Sequence, residues 1–126
     1  FRHGAARFDQ GTADAMIHMP MAEAAMRQIA DWGVAEIAAT LEPLVDRMAD
    51  EAASRGWRVP PKAHRAPHFI GITLPEPPAP DLADRLASEN VHVSLRNGRV
   101  RVSPYLFNSF EDVTALFAAL DRNARR

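Results

Sequence analysis

The 126-residue sequence contains no cysteine and only one lysine, and each shortage excludes a class of chemistry. Without cysteine the chain can form no disulfide, no thiolate metal site and no cysteine nucleophile, so we expect a reducing compartment, with the cytoplasm as the default. Lys62 is the only lysine among 15 lysines and arginines, so a Schiff base to a lysine of this chain could form only there. It follows two prolines in a polar loop, which predicts an exposed surface amine with an ordinary high pKa.

Long apolar runs and an excess of one charge are also missing. No uninterrupted run approaches the ~20 apolar residues that a membrane span requires. The formal net charge of -1 provides no general attraction to nucleic acid or to anionic lipid. We therefore expect no nucleic-acid partner and no membrane partner. The sequence begins at Phe1 without an initiator methionine, and we expect the true N-terminus to lie upstream.

The length suits a single globular domain, and the beginning of the chain differs in character from the rest. Residues 1–20 lack a sustained apolar period and include the turn signal Asp9-Gln10-Gly11-Thr12. We interpret residues 1–20 as an irregular arm and residues 21–126 as one domain.

Two helices are predicted after the arm. Apolar residues at helical spacing predict a first helix that starts near Pro20 and stops at Gly33. A second apolar stripe predicts a helix over residues 35–54. Pro43 lies inside this stripe, where it removes a backbone hydrogen bond, so we expect a kink or a break near Thr40.

The next part of the sequence predicts strands. Short strands are expected at 57–59 and 68–74, followed by a proline-rich linker and a short helix that Asp81 caps. The clearest local pattern is 91–103, where apolar and polar residues alternate around Asn97-Gly98. This pattern predicts a β-hairpin with a type I′ turn.

The hairpin turn determines which side chains share a face. It pairs Leu95 with Val100 and Val93 with Val102 on an apolar face. It also places Arg101 opposite Ser94 and Arg96 opposite Arg99. The opposite, polar face carries His92, Ser94, Arg96, Arg99, Arg101 and Ser103.

The last helix begins after Ser109, with Asp112 three residues later as its reciprocal capping partner. Its predicted buried residues are Val113, Leu116, Phe117 and Leu120. Helices mixed with antiparallel strands predict an α+β fold, with a small antiparallel sheet and the helices packed on one face.

Three places in the sequence have residue types that suit a binding site. The guanidinium of Arg101 is a planar fork that matches a carboxylate, although an arginine on a polar sheet face is more often only solvated. Gly11 and Thr12 together can hold a phosphate oxygen, although such pairs are common in ordinary turns. His64 and His68 have a spacing that suits a metal on a helix, but Pro67 prevents that helix, so no metal site is predicted.

Three segments together resemble the class V aminotransferase family, pyridoxal phosphate (PLP) enzymes of fold type I that include cysteine desulfurases, kynureninase and several transaminases. Residues 7–13, Arg-Phe-Asp-Gln-Gly-Thr-Ala, are similar to the family's Arg-Phe-x-x-Gly-Thr stretch. Residues 81–93 are a second similar segment. The most specific segment is 101–109 with 111–113, which is similar to the family's Arg-x-Ser-x-x-x-Tyr-Asn-Thr run before its final helix.

The resemblance implies a role for each matching residue. Arg101 is implied to bind the α-carboxylate of an amino-acid substrate. Thr12, with the backbone of Gly11, is implied to contact the PLP phosphate of the neighbouring subunit, so the full-length protein is expected to be a homodimer. Phe107 and Ser109 replace the usual Tyr and Thr, and Ser109 leaves the helix cap intact.

Two departures limit what this chain can do. The family's catalytic lysine lies upstream in the large domain and Lys62 does not match it, so this piece alone is expected to be inactive. The persulfide-carrying cysteine of desulfurases is replaced by the tight Asn97-Gly98 turn, which excludes desulfurase chemistry.

We therefore predict the C-terminal small domain of a PLP-dependent aminotransferase that acts on an amino acid. The alternatives are a lyase, hydrolase or epimerase of the same family, or a free-standing ligand-binding or interaction module without enzymatic activity. A lysine-bearing large domain in the upstream reading frame would distinguish the enzyme from the module.

Overall fold

A computed structural model of the chain describes residues 3–4 and 17–123. It consists of two compact units, Phe1–Val34 and Ala35–Arg126. Most of the predicted arm lies outside the described residues. Its last residues, 18–20, belong to the first helix, since Pro20 lies in the first turn, where its missing N–H costs no internal hydrogen bond.

Helix α1, His18–Trp32, belongs to the first unit. It ends at Gly33 as predicted, and Gly33 has a φ of 79°, in the region that favours glycine. The Gly33 N–H donates to the carbonyl oxygens of Ile29 at 3.1 Å and Ala30 at 3.2 Å, which satisfies the end of the helix. None of the α1 side chains is buried.

Helix α2, Val34–Ser54, continues through Pro43, so the predicted break near Thr40 is wrong. The apolar stripe on both sides of Pro43 is buried, and this packing outweighs the one hydrogen bond that proline removes. The Thr40 hydroxyl donates to the Glu36 carbonyl at 2.8 Å within the same helix. The buried residues of α2 are Leu41, Leu44, Val45, Met48, Ala49 and Ala52.

The sheet has three antiparallel strands in the order β1-β3-β2. They are β1 (Ile70–Ile72), β2 (Ser94–Arg96) and β3 (Arg99–Val102). The predicted strand at 57–59 is wrong: only Arg58 forms an antiparallel bridge, to Thr73. Prolines 60 and 61 follow immediately, and since proline has no N–H to donate, the pairing ends there.

The hairpin confirms the predicted turn and most of its register. Asn97 and Gly98 have φ values of 51° and 69°, as a type I′ turn requires. Ser94 pairs with Arg101, Leu95 with Val100, and Arg96 with Arg99.

The predicted pair of Val93 with Val102 does not form, because β2 begins at Ser94. The chain leaves the preceding helix through Asn90 at a φ of 61°, and residues 91–93 lie between this position and the strand in no regular element. Val93 instead packs, partly buried, against the core.

Helix α3 spans Leu82–Ser88, with Asp81 at its N-cap position. The position confirms the prediction, but the Asp81 side chain makes no capping hydrogen bond. Its Oδ2 lies 3.3 Å from Nε of Arg85, one turn later, so the carboxylate pairs with that guanidinium.

Helix α4 spans Phe110–Asn123 and has the predicted capping box. The Ser109 N–H donates to Oδ2 of Asp112 at 2.8 Å, and the Asp112 N–H donates to Oγ of Ser109 at 3.4 Å. All four residues predicted to be buried are buried: Val113, Leu116, Phe117 and Leu120.

The core of the second unit lies between the helices and one face of the sheet. That face is formed by the buried Ile70, Ile72, Val100 and Val102. The Trp57 ring stacks on Phe117 with centroids 5.9 Å apart. The α+β prediction is therefore confirmed. No helix in the described part of the chain is both long and apolar enough to span a membrane.

A polar clamp joins the end of α3 to the end of α4. Nδ2 of Asn123 donates to Oε1 of Glu89 at 2.7 Å, and Nε of Arg122 donates to Oε2 at 3.1 Å. The hydrogen bonds from Arg122 and Asn123 hold the pKa of Glu89 below its ordinary value.

Replacing Ser109 with alanine should lower the free energy of unfolding by about 1 kcal/mol, because the Asp112 N–H loses its side-chain acceptor. Urea unfolding followed by circular dichroism measures the change. Ser109→Thr should retain most of the stability. Ser103→Ala is the matched control, since Ser103 is exposed and bonds to no described residue; an equal loss in both alanine variants would contradict the cap.

Stability should fall as the pH drops below the ordinary Glu pKa of about 4.3, because the depressed pKa of Glu89 makes the unfolded chain bind its proton first. Glu89→Gln should destabilise the chain at pH 7, and this difference should shrink as the pH falls through the folded-state pKa. Denaturation at several pH values tests this, with the exposed Glu76→Gln as control. A difference that is constant with pH would rule out the clamp as its source.

Candidate functional site

Arg101 lies in the middle of the sheet, on the face opposite the core. On the central strand β3 it pairs with Gly71 of β1 on one side and Ser94 of β2 on the other. Both neighbours are small, so neither covers the arginine. Its side chain is exposed while the flanking Val100 and Val102 are buried, and this alternation fixes the direction in which the guanidinium leaves the sheet.

An aromatic ring lies against this guanidinium. Cζ of Arg101 is 5.2 Å from the ring centroid of Phe69, within the range of a cation–π contact. His68 in turn meets Phe69 edge to ring, with centroids 5.0 Å apart. The N–H donors of this guanidinium form no hydrogen bond with any residue that the structure describes, so they can bind an anion.

A shallow cavity of about 290 Å³ opens at this place. Its walls are Phe69, Gly71, Arg96, Asn97, Arg99 and Arg101. No acidic side chain lines it, and Arg101 forms no ion pair with any residue that the structure describes. The arrangement therefore offers a carboxylate or phosphate a positively charged, partly aromatic pocket.

The sequence identified the arginines of this cavity but not Phe69 or Gly71. Phe69 immediately precedes β1 and Gly71 is its middle residue, and they reach the site only because β1 pairs with β3. This pairing joins segments that are distant in sequence. The only signal in the sequence for this placement was that Phe69 and Gly71 alternate with the apolar Ile70 and Ile72, which are buried.

The segment after β3 is held rigidly to the last helix. The Tyr105 N–H donates to Oδ1 of Asn108 at 2.9 Å, and Nδ2 of Asn108 donates to Oδ2 of Asp112 at 3.2 Å. The Ser109 N–H, followed by the Asn108 amide, holds the pKa of Asp112 below its ordinary value, so this carboxylate stays charged as an acceptor. The run that begins at Arg101 is therefore fixed at both ends by regular structure.

The other sequence-predicted residues are not brought into this cavity. Gly11 and Thr12 lie outside the described residues, so their phosphate role stays a prediction. Nζ of Lys62 lies 2.6 Å from Oδ2 of Asp46 and 3.5 Å from Oε1 of Glu42, and the hydrogen bond with Asp46 raises the pKa of Lys62. Lys62 is thus an exposed, charged amine, as its sequence setting predicts.

No protein-family model and no curated protein sequence matches the chain. Solved structures do. A cysteine desulfurase from Thermococcus onnurineus NA1 has 18% identity and a TM-score of 0.66, covering 79% of this chain and 28% of its own length. A NifS-like protein has 16% identity and a TM-score of 0.70, covering 97% of this chain and 37% of its own.

An alanine–glyoxylate aminotransferase from Nostoc sp. has 26% identity and a TM-score of 0.63, covering 98% of this chain and 34% of its own. The chain spans between 28% and 37% of the length of these three proteins. It therefore has the fold of one segment of such proteins, in agreement with the resemblance to class V enzymes of fold type I.

Proposed function

We propose that this chain is the C-terminal small domain of a PLP-dependent aminotransferase, in which Arg101 binds the α-carboxylate of the amino-acid substrate. The observation that carries the proposal is the position of the Arg101 guanidinium. It projects from the central strand of a rigid sheet into a cavity without carboxylates, and an aromatic ring lies against it. Such a fork on a fixed scaffold is suited to hold a carboxylate in one orientation.

Transamination is favoured over desulfuration by two features. The chain contains no cysteine, so it provides no thiol to carry a persulfide. Its identity to the alanine–glyoxylate aminotransferase is 26%, against 18% to the cysteine desulfurase. Both features support an amino-group transfer to an oxo acid as the reaction of the whole protein.

The residues described here fit substrate binding but not the covalent attachment of PLP. Lys62 is exposed, paired with two carboxylates, and has a raised pKa, whereas a reactive amine needs a lowered one. The proposal therefore assigns the catalytic lysine to a part of the protein upstream of this chain, and this chain alone should have no activity.

When bound, PLP supplies the electron sink of the reaction. The contribution of this chain is to hold the substrate carboxylate at Arg101, so that the amino group is presented in a fixed orientation. The proposal includes a cytoplasmic homodimer, in which Gly11 and Thr12 contact the PLP phosphate of the neighbouring subunit.

Arg101→Ala in the full-length enzyme should raise the KM for the amino acid roughly 10- to 100-fold, the loss expected for a charge-assisted pair of hydrogen bonds. Arg101→Lys should recover only part of the affinity, because an ammonium lacks the planar fork. Steady-state kinetics measures both variants. Arg58→Ala is the matched control, since Arg58 is also exposed and unpaired among the described residues but lies outside the cavity. An unchanged KM in Arg101→Ala would refute the assignment.

Lys62→Ala in the full-length protein should leave the visible absorption of bound PLP unchanged, because Lys62 is engaged by Asp46 and Glu42. Replacement of the upstream catalytic lysine should change that absorption and abolish turnover. Loss of the PLP absorption in Lys62→Ala would contradict the proposed placement of the lysine, and so would a reading frame with no upstream lysine-bearing domain.

A further inference from the structure

The arginines of this chain fall into two groups. Six of those that the structure describes form ion pairs with carboxylates: Arg27, Arg47, Arg55, Arg65, Arg85 and Arg122. Arg58, Arg96, Arg99 and Arg101 have no such partner within the described residues. Three of these four, Arg96, Arg99 and Arg101, line the same cavity. The unpaired positive charge is thus concentrated at one place on the sheet.

Arg96 and Arg99 are held close together by the hairpin. They are direct cross-strand partners, which places their Cβ atoms about 5 Å apart. Like charges in this position destabilise a sheet, and no described carboxylate neutralises them. A bound anion between the two guanidinium groups would remove the repulsion and gain charge-assisted hydrogen bonds.

Gly71 leaves space for the Arg99 side chain on this face of the sheet. Cδ of Arg99 is 3.8 Å from the position that a Cβ on Gly71 would occupy, so the Arg99 side chain runs across the space that a larger residue would fill. Arg99 and Arg101 are two positions apart on one strand, and with a rise of ~3.4 Å per residue their Cα atoms are about 7 Å apart. Two anionic groups joined by a short carbon chain suit this separation.

We propose that Arg96 and Arg99 form a second anion subsite, so that the substrate is an amino acid or oxo acid with a second negatively charged group, a carboxylate or a phosphate ester. This inference rests on the proposed function, because it takes Arg101 as the receptor for the first carboxylate. The size of the cavity, about 290 Å³, suits a small metabolite.

The first test is an NMR titration of this chain that observes the arginine Nε–H signals, with acetate, succinate and methyl phosphate as probes at constant ionic strength. Succinate should shift the signals of Arg96, Arg99 and Arg101 together and bind about tenfold more tightly than acetate, since a second anchored charge adds that much affinity. The Nε–H signal of Arg58, which lies outside the cavity, is the control for non-specific effects of the added anions. Equal shifts at Arg58 and at the cavity arginines, or equal affinity for succinate and acetate, would overturn the proposal.

The second test is substrate selection by the full-length enzyme. The double variant Arg96→Gln, Arg99→Gln should lower kcat/KM for aspartate or O-phosphoserine at least tenfold more than it lowers kcat/KM for alanine, while Arg58→Gln should change none of these values. Comparison of aspartate with O-phosphoserine identifies whether the second group is a carboxylate or a phosphate. An equal loss for alanine would overturn the subsite.

The two proposals fail in different ways. If Arg101→Ala leaves the KM for alanine unchanged, the α-carboxylate assignment is wrong, whatever the double variant does. If Arg101→Ala raises the KM for alanine but the double variant has the same kcat/KM for aspartate and O-phosphoserine as the parent enzyme, only the second subsite is wrong.

Discussion

The alternation of side chains along β3 is the constraint on which both the core and the candidate site depend. This strand is central and pairs on both sides, so the pairing fixes which of its side chains lie on each face of the sheet. Burial of Val100 and Val102 against the helices therefore directs Arg99 and Arg101 to the other face. Because hydrophobic packing fixes the strand, the guanidinium groups need no ion pairs of their own to be placed.

Features formed by residues close together in sequence were predictable from local sequence signals. The Asn97-Gly98 turn has positive φ at both positions, and Ser109 with Asp112 forms its cap from neighbouring residues. Both features were predictable, because their geometry depends on a few consecutive residues. The hairpin register followed from the turn, and with it the shared face of Arg96, Arg99 and Arg101.

Interactions between distant segments were not predictable from the sequence. Pro43 indicated a break in α2, but burial of the stripe on both sides keeps the helix continuous. The pairing of β1 with β3, which brings Phe69 and Gly71 beside Arg101, has no signature in either segment alone. Residue types at Gly11 and Thr12 gave only a weak signal for a phosphate site, which the family resemblance strengthened, and these residues lie outside the described part of the chain.

A substitution at Gly71 can change the volume of the cavity without changing the core contacts that stabilise the fold. Its neighbours Ile70 and Ile72 supply the core contacts of β1, so a residue introduced at 71 would leave the buried face untouched. A methyl group there would meet Cδ of Arg99 at an ordinary 3.8 Å, whereas a bulkier side chain would occupy the concavity itself. One position on an edge strand can thus set the volume of the cavity while the buried face of the sheet stays the same.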